Sequence, residues 1–294
     1  MSAAADTPLR RLAGDFVKSP SAVVAAIGLV LIVLAAVFAG AVAPQNPYDL
    51  AQIDIFDGSL PPGSTGFDGF HYLLGTDEQG RDMLSAIIYG LRISLSVSFI
   101  SVSVAVLIGL VMGMLAAWRG GWVDSLIMRI VDIQLSFPAL LVALLLLAAL
   151  GKGVDKVILA LIIVLWAYFA RTVRGAALVE IRKDYITAAR SQALPGWRIL
   201  FGHLLPNVMP PVIVIATVQI ANAISIEAAL SFLGVGVPIT EPSLGLLIAN
   251  GFDYLLSGRY WISFYPGIAL LLTLVCINVV GDQIRDILNP RMQR

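Results

Sequence analysis

The chain is poor in cysteine, histidine and charged residues. Among its 294 residues there are one cysteine and two histidines, and Asp, Glu, Lys and Arg together make up 13%. The single cysteine, Cys276, excludes an internal disulfide, and so few Cys and His side chains argue against a metal site built from them. The 19 basic residues are balanced by 19 acidic ones, which leaves no net positive charge to attract nucleic acid. We therefore predict no metal site and no nucleic-acid partner.

Apolar residues are abundant instead. They make up 59% of the chain, and the mean hydropathy is +0.89. Soluble domains contain about 45–50% apolar residues, so a soluble fold of this length would leave much apolar surface in water. The composition therefore predicts an all-α protein that crosses a membrane several times.

Six uncharged intervals predict six transmembrane helices, because a charge at mid-bilayer costs about 2.5–3.5 kcal/mol. The fourth interval is the weakest, since only 14 residues, 157–170, separate its charges, and a span needs roughly 20. We expect those two charged side chains to reach the interfaces; the alternative is a buried soluble helix. The intervals lie between Lys18 and Asp49, Arg92 and Arg119, Asp132 and Lys152, Lys156 and Arg171, Arg198 and Glu227, and Arg259 and Asp282.

The basic residues are distributed unevenly among the loops of this arrangement. With the N-terminus in the cytoplasm, fourteen lie inside and five outside, as the positive-inside rule favours. We therefore predict cytoplasmic N- and C-termini. The inside residues are Arg10, Arg11, Lys18, Arg119, Arg129, Arg171, Arg174, Arg182, Lys183, Arg190, Arg198, Arg285, Arg291 and Arg294, and the outside ones are Arg81, Arg92, Lys152, Lys156 and Arg259.

The first apolar run, 22–43, imitates a secretory signal. It is longer than the about 7–15 residues of a signal-peptide core, so we predict that it is retained as a helix. The predicted segments are a tail over 1–21, this first helix, an outer loop over 44–92, a five-helix core over 93–282 that contains an inner loop over 171–206, and a tail over 283–294.

The two long loops carry different patterns. The outer loop has seven acidic residues and the helix-breaking run Pro61-Pro62-Gly63, which predicts a small ordered cap. The inner loop has helical patterns over Val179–Ala193 and Trp197–Leu205, separated by Pro195-Gly196. These patterns predict two short helices joined by a turn on the cytoplasmic face.

No energy source for transport is evident in the chain itself. The only Gly-Lys pair, Gly151-Lys152, lacks the spacing of a phosphate-binding loop and lies on the predicted outer face. Asp132 and Glu227 are the acidic residues that a proton-driven carrier would use. Asp132 follows Arg129 by three residues, which predicts a local ion pair. Glu227 is expected near the outer interface, with a pathway or partner-facing role as the alternative. We predict no catalytic site and no bound cofactor.

The inner loop resembles the cytoplasmic EAA loop of permeases from binding-protein-dependent ABC importers. Ala188, Ala189, Leu205 and Pro206 match that pattern at its spacing. Thr187, Ala193 and His203 replace its usual Glu, Gly and Ile.

Further motifs are similar to the C-type permease subunit of dipeptide and oligopeptide importers. One departure is Leu244, where Trp is usual in that group. The similarity extends from about residue 10 to the C-terminus. The matching segments are 74–82, 89–95, 128–132 with 135–138, 227–236, and 281–286 with Asn289-Pro290-Arg291.

This resemblance implies a six-helix type I ABC importer permease fold with cytoplasmic coupling helices. It implies as partners a homologous second permease, two ATP-binding subunits that bind ATP and Mg, and an extracytoplasmic solute-binding protein. It also implies inward transport of di- or oligopeptides by alternating access across a bacterial cytoplasmic (inner) membrane. Nickel chelates, glutathione, opines or sugars are alternative cargoes. A proton-driven secondary carrier and a membrane sensor or scaffold are the rival classes.

The resemblance also assigns candidate residues to contacts with the partners. We expect Ala189→Trp to uncouple transport from ATP hydrolysis, and Pro195-Gly196 to form the turn. Arg190 and Arg198 either contribute to coupling or only satisfy the positive-inside rule. The candidates for ATPase coupling are Tyr185, Thr187, Ala188, Ala189, Arg190, Ala193, Pro195, Gly196 and Trp197, and those for the pathway or a subunit interface are Arg129, Asp132 and Glu227.

Two further features have alternative interpretations. Asp77, Glu78 and Asp82 either receive the solute-binding protein or face solvent, while Gly75 and Gly80 allow tight turns. The small residues Gly109, Gly113, Ala116 and Ala117 permit close helix approach, either between subunits or as ordinary packing.

Overall fold

The computed structural model describes residues 14–238 and 240–288. Arg10, Arg11, Arg291, Arg294 and the motif Asn289-Pro290-Arg291 lie outside these residues. The helices are α1 (Pro20–Val37), α2 (Ala39–Val42), α3 (Met83–Arg119), α4 (Gly121–Leu135), α5 (Ala139–Leu150), α6 (Val154–Glu180), α7 (Asp184–Ser191), α8 (Gly196–Phe232), α9 (Leu244–Phe252) and α10 (Trp261–Leu288). Short 3-10 turns span Leu50–Gln52, Ile55–Asp57 and Leu255–Ser257, and the antiparallel strands are β1 (Ser64–Thr65) and β2 (His71–Tyr72).

Five helices, α1, α3, α6, α8 and α10, are each long and apolar enough to span a membrane. The pair α4 and α5 passes the same test jointly but is bent by 90°. The fourth interval, judged weakest from its charges, belongs to α6, which has 27 residues and is about 40 Å long. Lys156 and Arg171 lie within this helix, because charges mark the edges of an apolar zone and not the ends of a helix.

The third interval, Asp132 to Lys152, is the interrupted one. Helix α4 ends at Leu135, and α5 begins at Ala139 and has only 12 residues. Pro138 lies between them and has no backbone N–H to continue the hydrogen bonding of α4. The interval predicted as the third span is therefore not a single helix: it contains the end of α4, the bend and α5.

The bundle has two distinct ends. We call the end at residues 43–82 the loop end, and the end where α3 stops at Arg119 the basic end. Trp261 at the start of α10 donates from Nε1 to the carbonyl oxygen of Thr76 at 3.1 Å, so α10 begins at the loop end. Near the other end of α10, Gln283 Nε2 lies 3.5 Å from the Asp15 carbonyl oxygen. Asp15 and Gln283 therefore both lie at the basic end, and six passes lie between them when the bent pair α4 and α5 is counted as one.

Helices α3 and α6 pack in close contact at two glycines. A Cβ added to Gly109 would overlap Phe169, and one added to Gly113 would lie 2.6 Å from the Ala170 carbonyl oxygen. The small residues of α3 thus serve packing within this chain, which is the ordinary-packing alternative. The predicted use of these two glycines between subunits is wrong.

The outer loop forms an ordered cap around a buried aspartate. Asp57 accepts hydrogen bonds from the Tyr72 hydroxyl at 3.0 Å and the Phe67 amide at 3.1 Å. The Thr76 hydroxyl donates to the Asp57 carbonyl oxygen at 2.6 Å. The cap ends at Asp82, ten residues before the predicted boundary at 92, because Asp82 caps the start of α3.

Candidate functional site

The inner segment, residues 181–199, begins with a sharp exit from α6. Lys183 Nζ pairs with Glu180 Oε1 at 2.6 Å, and the Tyr185 hydroxyl donates to Glu180 Oε2 at 2.7 Å. The pKa of Tyr185 is raised to about 12, mainly by burial and to a smaller extent by this hydrogen bond to Glu180. Asp184 lies in the first turn of α7 and Arg190 in the last, so both charges favour the helix dipole. These contacts fix where α7 starts.

Helix α7 is seated on the end of α3. Its buried residues Ile186 and Ala189 form a cluster with Ile199 of α8, and Trp118 of α3 packs against this cluster. The Arg190 guanidinium lies 5.4 Å from the centre of the Trp118 ring, a cation–π contact. Trp118 was missed from the sequence, although an aromatic residue directly before the terminal Arg119 of an apolar helix is a usable signal.

The turn after α7 is made by Ala193, which has a φ of 54°. The Leu194 amide donates to the Ala189 carbonyl and the Ala193 amide to the Arg190 carbonyl, the pattern of a Schellman C-cap. The predicted Pro195-Gly196 turn is wrong. Gly196 is instead the first residue of α8, and its lack of a side chain lets Trp118 approach, since an added Cβ would lie 3.2 Å from the ring.

The predicted second short helix, Trp197–Leu205, is not a separate element. It forms the first turns of the continuous helix α8, with a π-helical turn over Leu200–Leu204 in which the Leu205 amide donates to the Leu200 carbonyl. Pro206 follows directly and supplies no N–H, which disrupts regular α-helical bonding at this place. The inner segment is therefore one short helix braced between two long ones.

Ala193→Gly should stabilise the cap of α7 by about 0.5–1 kcal/mol, because glycine adopts positive φ without the steric cost that alanine bears. Hydrogen exchange at the Leu194 amide, which donates in the cap, should become slower by a corresponding factor. The matched control is Ala188→Gly on the exposed face of α7, where the loss of helix propensity should speed exchange. Faster exchange at Leu194 in Ala193→Gly would contradict the assignment.

Several of the predicted coupling residues lie on the exposed side of the inner segment, whereas Ala189 lies on its buried side. Thr187, Ala188, Ala193 and Pro195 are exposed, and Trp197 is 67% exposed. Ala189 is only 5% exposed and faces the Trp118 cluster. A tryptophan at 189 would therefore displace α7 from its seat, and it would not simply cover a docking surface.

Asp132 does not pair with Arg129. Its carboxylate forms an ion pair with Arg171 of α6, and the predicted local pair is wrong. The reason is that α4 packs along α6, which places Asp132 next to Arg171. The same packing forms a second pair, in which Arg174 Nη2 donates to Asp124 Oδ2 at 2.6 Å. Both partners of the Asp132 pair are more than half exposed, so it adds little stability. Arg129 is exposed and makes no ion pair with the residues that the structure describes.

Glu227 is fully buried within this chain, and the pathway or partner-facing alternative for this carboxyl stays a prediction. It accepts hydrogen bonds from Ser94 Oγ of α3 at 2.7 Å and from Ser231 Oγ at 2.8 Å. Ser243, which caps α9, borders the same carboxyl. Ser231 near the end of α8 and Ser243 at the start of α9 therefore both lie at Glu227, an arrangement that span counting does not reveal.

Two of the three outer acidic residues are structural. Asp77 Oδ2 pairs with Arg81 Nε at 2.6 Å, and both side chains are at least 94% buried. Asp82 accepts hydrogen bonds from the Ser85 amide at 2.8 Å and its hydroxyl at 2.6 Å. Asp77 and Asp82 therefore neither face solvent nor present a docking surface. Only Glu78 is exposed, and it accepts a hydrogen bond from the Tyr254 hydroxyl at 2.6 Å.

The glycines of this motif have the conformation predicted for them. Gly75 and Gly80 have φ values of 78° and 81°. A Cβ on Gly75 would lie 2.5 Å from the Leu60 carbonyl oxygen, and one on Gly80 would overlap Asp54. The tight-turn interpretation of these two residues is confirmed.

Known families match both parts of the chain. Residues 105–294 match the binding-protein-dependent transport system inner membrane component, and residues 7–62 match the N-terminal TM domain of oligopeptide transport permease C. The chain belongs to this permease family. It is therefore a component of an inner-membrane transport system, as the sequence motifs predicted.

Curated relatives are similar over nearly the whole chain. The di/tripeptide transport system permease protein DppC of Pseudomonas aeruginosa is 36% identical over 287 residues, which cover 98% of this permease and 93% of the relative. The dipeptide transport system permease protein DppC of Escherichia coli K12 is 37% identical, with coverage of 98% and 95%. The probable D,D-dipeptide transport system permease protein DdpC of the same strain is 37% identical, with coverage of 93% and 88%.

A solved structure supports the fold assignment. The inward-facing MetNI methionine ABC transporter aligns with a TM-score of 0.57 at 21% identity, over 70% of this permease and 98% of that chain. At this identity the likeness concerns the fold alone. The predicted fold class, an all-α type I importer permease, is confirmed.

Proposed function

We propose that this permease is the transmembrane subunit of an ATP-driven importer of di- or oligopeptides. Its partners are a homologous second permease, two ATPase subunits that bind ATP and Mg, and an extracytoplasmic solute-binding protein. The chain itself binds no cofactor and catalyses no reaction. The peptide cargo is supported by three relatives whose names specify di/tripeptide, dipeptide and D,D-dipeptide transport.

The observation that carries this proposal is the construction of α7. Its buried side is held by Trp118 of α3 and Ile199 of α8, and its other side is exposed. A short helix fixed to two long helices transmits a push at its exposed side to both of them as a rigid body. An ATPase that closes on ATP binding would in this way open the helices toward the binding protein.

The proposed orientation places the basic end in the cytoplasm. Asp15 and Gln283 lie at that end together with α7, which supports cytoplasmic termini. Exposed Arg119 and Arg190 lie there too, as the positive-inside rule favours. Cysteine labelling from the two sides of sealed vesicles at Ser191→Cys and Ser257→Cys would test this orientation, with Ser191 protected from outside.

The first test is purification of the tagged chain from native membranes in mild detergent, followed by mass spectrometry. A second permease and ATPases should accompany it in near-equal amounts. Ala188→Trp, which obstructs the exposed side of α7, should lose the ATPases and retain the second permease. The matched control is Leu256→Trp at the loop end, where the side chain is fully exposed and should not affect recovery of the ATPases. Unchanged ATPase recovery with Ala188→Trp would contradict the docking surface.

Uptake of a labelled dipeptide distinguishes the cargoes and energy sources. We expect competition by unlabelled di- and oligopeptides and none by nickel chelates, glutathione, opines or sugars. An uncoupler should leave uptake intact when ATP is held constant. Collapse of uptake under that condition would favour a proton-driven carrier, although Asp132 is paired and Glu227 is enclosed by serines.

A further inference from the structure

Arg92 lies at a depth that the length of α3 defines. It is separated from Arg119 by 27 residues of the same helix, or about 40 Å. A bilayer with its headgroups is about 40–45 Å thick, so the two arginines reach the two headgroup layers together. One turn before Arg92, the Tyr89 ring packs edge-on against Tyr48 at 5.4 Å, as aromatic residues do at a membrane interface.

The Arg92 side chain is exposed, and Glu241, which like Arg92 acts electrostatically on Tyr48, does not pair with it. Within residues 14–238 and 240–288 it forms no ion pair and no hydrogen bond. At the depth of the headgroups the Arg92 guanidinium has no paired anion of the protein, and its fork of N–H donors matches the oxygens of a phosphate. The guanidinium is therefore available to donate hydrogen bonds to a lipid phosphate.

Directly below Arg92 an apolar groove runs toward the basic end. It has a volume of about 660 Å³ and lies between α1, α3, α8 and α10. Its walls include Leu29, Val33, Phe99, Ile220 and Ile277, with Arg92 nearest the loop end of α3. The residues of α1 that line it, Leu29 to Val37, extend over about 12 Å. A cation at the mouth of a long aliphatic groove is complementary to an amphiphile with an anionic head group.

We propose that Arg92 and this groove bind a phospholipid from the leaflet at the loop end. The phosphate accepts hydrogen bonds from the Arg92 guanidinium, and an acyl chain lies along the groove against α1. A lipid fits better than a protein helix, because the phosphate already lies at the depth of Arg92, whereas a helix would have to bring an acidic residue to that depth. The bound lipid would tie α1, only 17% of which is buried, to the rest of the bundle.

The test uses the full chain, purified with the subunits that accompany it and stripped of lipid in detergent. Phosphatidylglycerol and a diacylglycerol with the same acyl chains are added separately, and the thermal midpoint and the retained lipid are measured. Phosphatidylglycerol should raise the midpoint and diacylglycerol should not. Arg92→Gln should weaken the apparent affinity at least tenfold, equivalent to about 1.4 kcal/mol, and Arg92→Lys should weaken it less.

Two further variants separate the head site from the groove. Ser96→Trp keeps the cation and fills the groove, so it should also reduce lipid retention; it decides the matter if Arg92→Gln does not fold. Arg259→Gln is the matched control, since Arg259 lies beside the Tyr254 ring and outside the groove. Equal binding of phosphatidylglycerol by wild type and Arg92→Gln, or equal binding of diacylglycerol, would overturn the proposal. So would cross-linking of Ser96→Cys to a second polypeptide in native membranes.

Discussion

Gly113→Val should destabilise the helix bundle by about 3 kcal/mol or more. The Cβ of any larger residue would lie 2.6 Å from the Ala170 carbonyl oxygen and 2.7 Å from Val173 Cβ, so α3 and α6 would have to separate. Overpacking of a rigid core costs about 1–3 kcal/mol when side chains can shift. The cost is greater here because a backbone carbonyl lies in the way. Unfolding in detergent, followed by near-UV circular dichroism, should show a clear fall in the midpoint.

The matched control for this prediction is Gly175→Val. Gly175 lies in α6, and no heavy atom would lie within 4 Å of an added Cβ. The same change of residue should therefore leave stability nearly unchanged, since valine has somewhat better helix propensity than glycine. If both variants lost stability equally, the close contact at Gly113 would not be the cause.

The charge intervals predicted six passes, but they marked the wrong one as the weakest. Charges report where apolar environment ends, and Lys156 and Arg171 lie inside a 27-residue helix whose ends the intervals could not mark. The break in the third span depends on a short motif, Ser136-Phe137-Pro138, within an otherwise apolar run. A count of charges does not register a proline, so the wrong span was considered weak.

Candidate site residues were predicted less well, for a reason that Ala193 illustrates. The family pattern has glycine there, and the positive φ of 54° shows why, although the local sequence points to Pro195-Gly196 as the turn. Turn propensity is a local property, whereas the conformation of Ala193 follows from the packing of α7 against Trp118. The similarity in spacing therefore located the turn better than residue preference did.

Acidic residues were hardest to assign because burial depends on distant partners. Asp77 is paired with Arg81, four residues away, which sequence spacing could have suggested. Glu227 is bonded to Ser94, which is 133 residues distant. No local pattern predicts such a contact, so the burial of this carboxyl could not be predicted from the sequence.

Trp118→Ala should detach α7 while leaving the membrane bundle folded. Large aromatic-to-alanine changes at fully buried positions cost about 3–5 kcal/mol, and the cost at the half-buried Trp118 should be smaller. Its ring supports Ile186, Ala189 and the Arg190 guanidinium. Trp118 also packs against the edge of the main bundle core, so the bundle should lose some stability too, but that core has many other members whereas the cluster under α7 has few. Hydrogen exchange in residues 184–194 should therefore become much faster, and the midpoint for the whole bundle should fall less.

The functional consequence depends on the role proposed for α7. In the reconstituted importer, Trp118→Ala should reduce peptide transport more than tenfold while ATP hydrolysis continues, because the ATPase would then move a helix no longer fixed to α3. Trp118→Phe should restore part of the coupling, since it retains an aromatic face for Arg190. Trp122→Ala is the control, as that side chain is 76% exposed and lies outside the cluster around α7. Fast exchange in α7 with normal transport would show that α7 is not the coupling element, whereas unchanged exchange would show that Trp118 does not hold it.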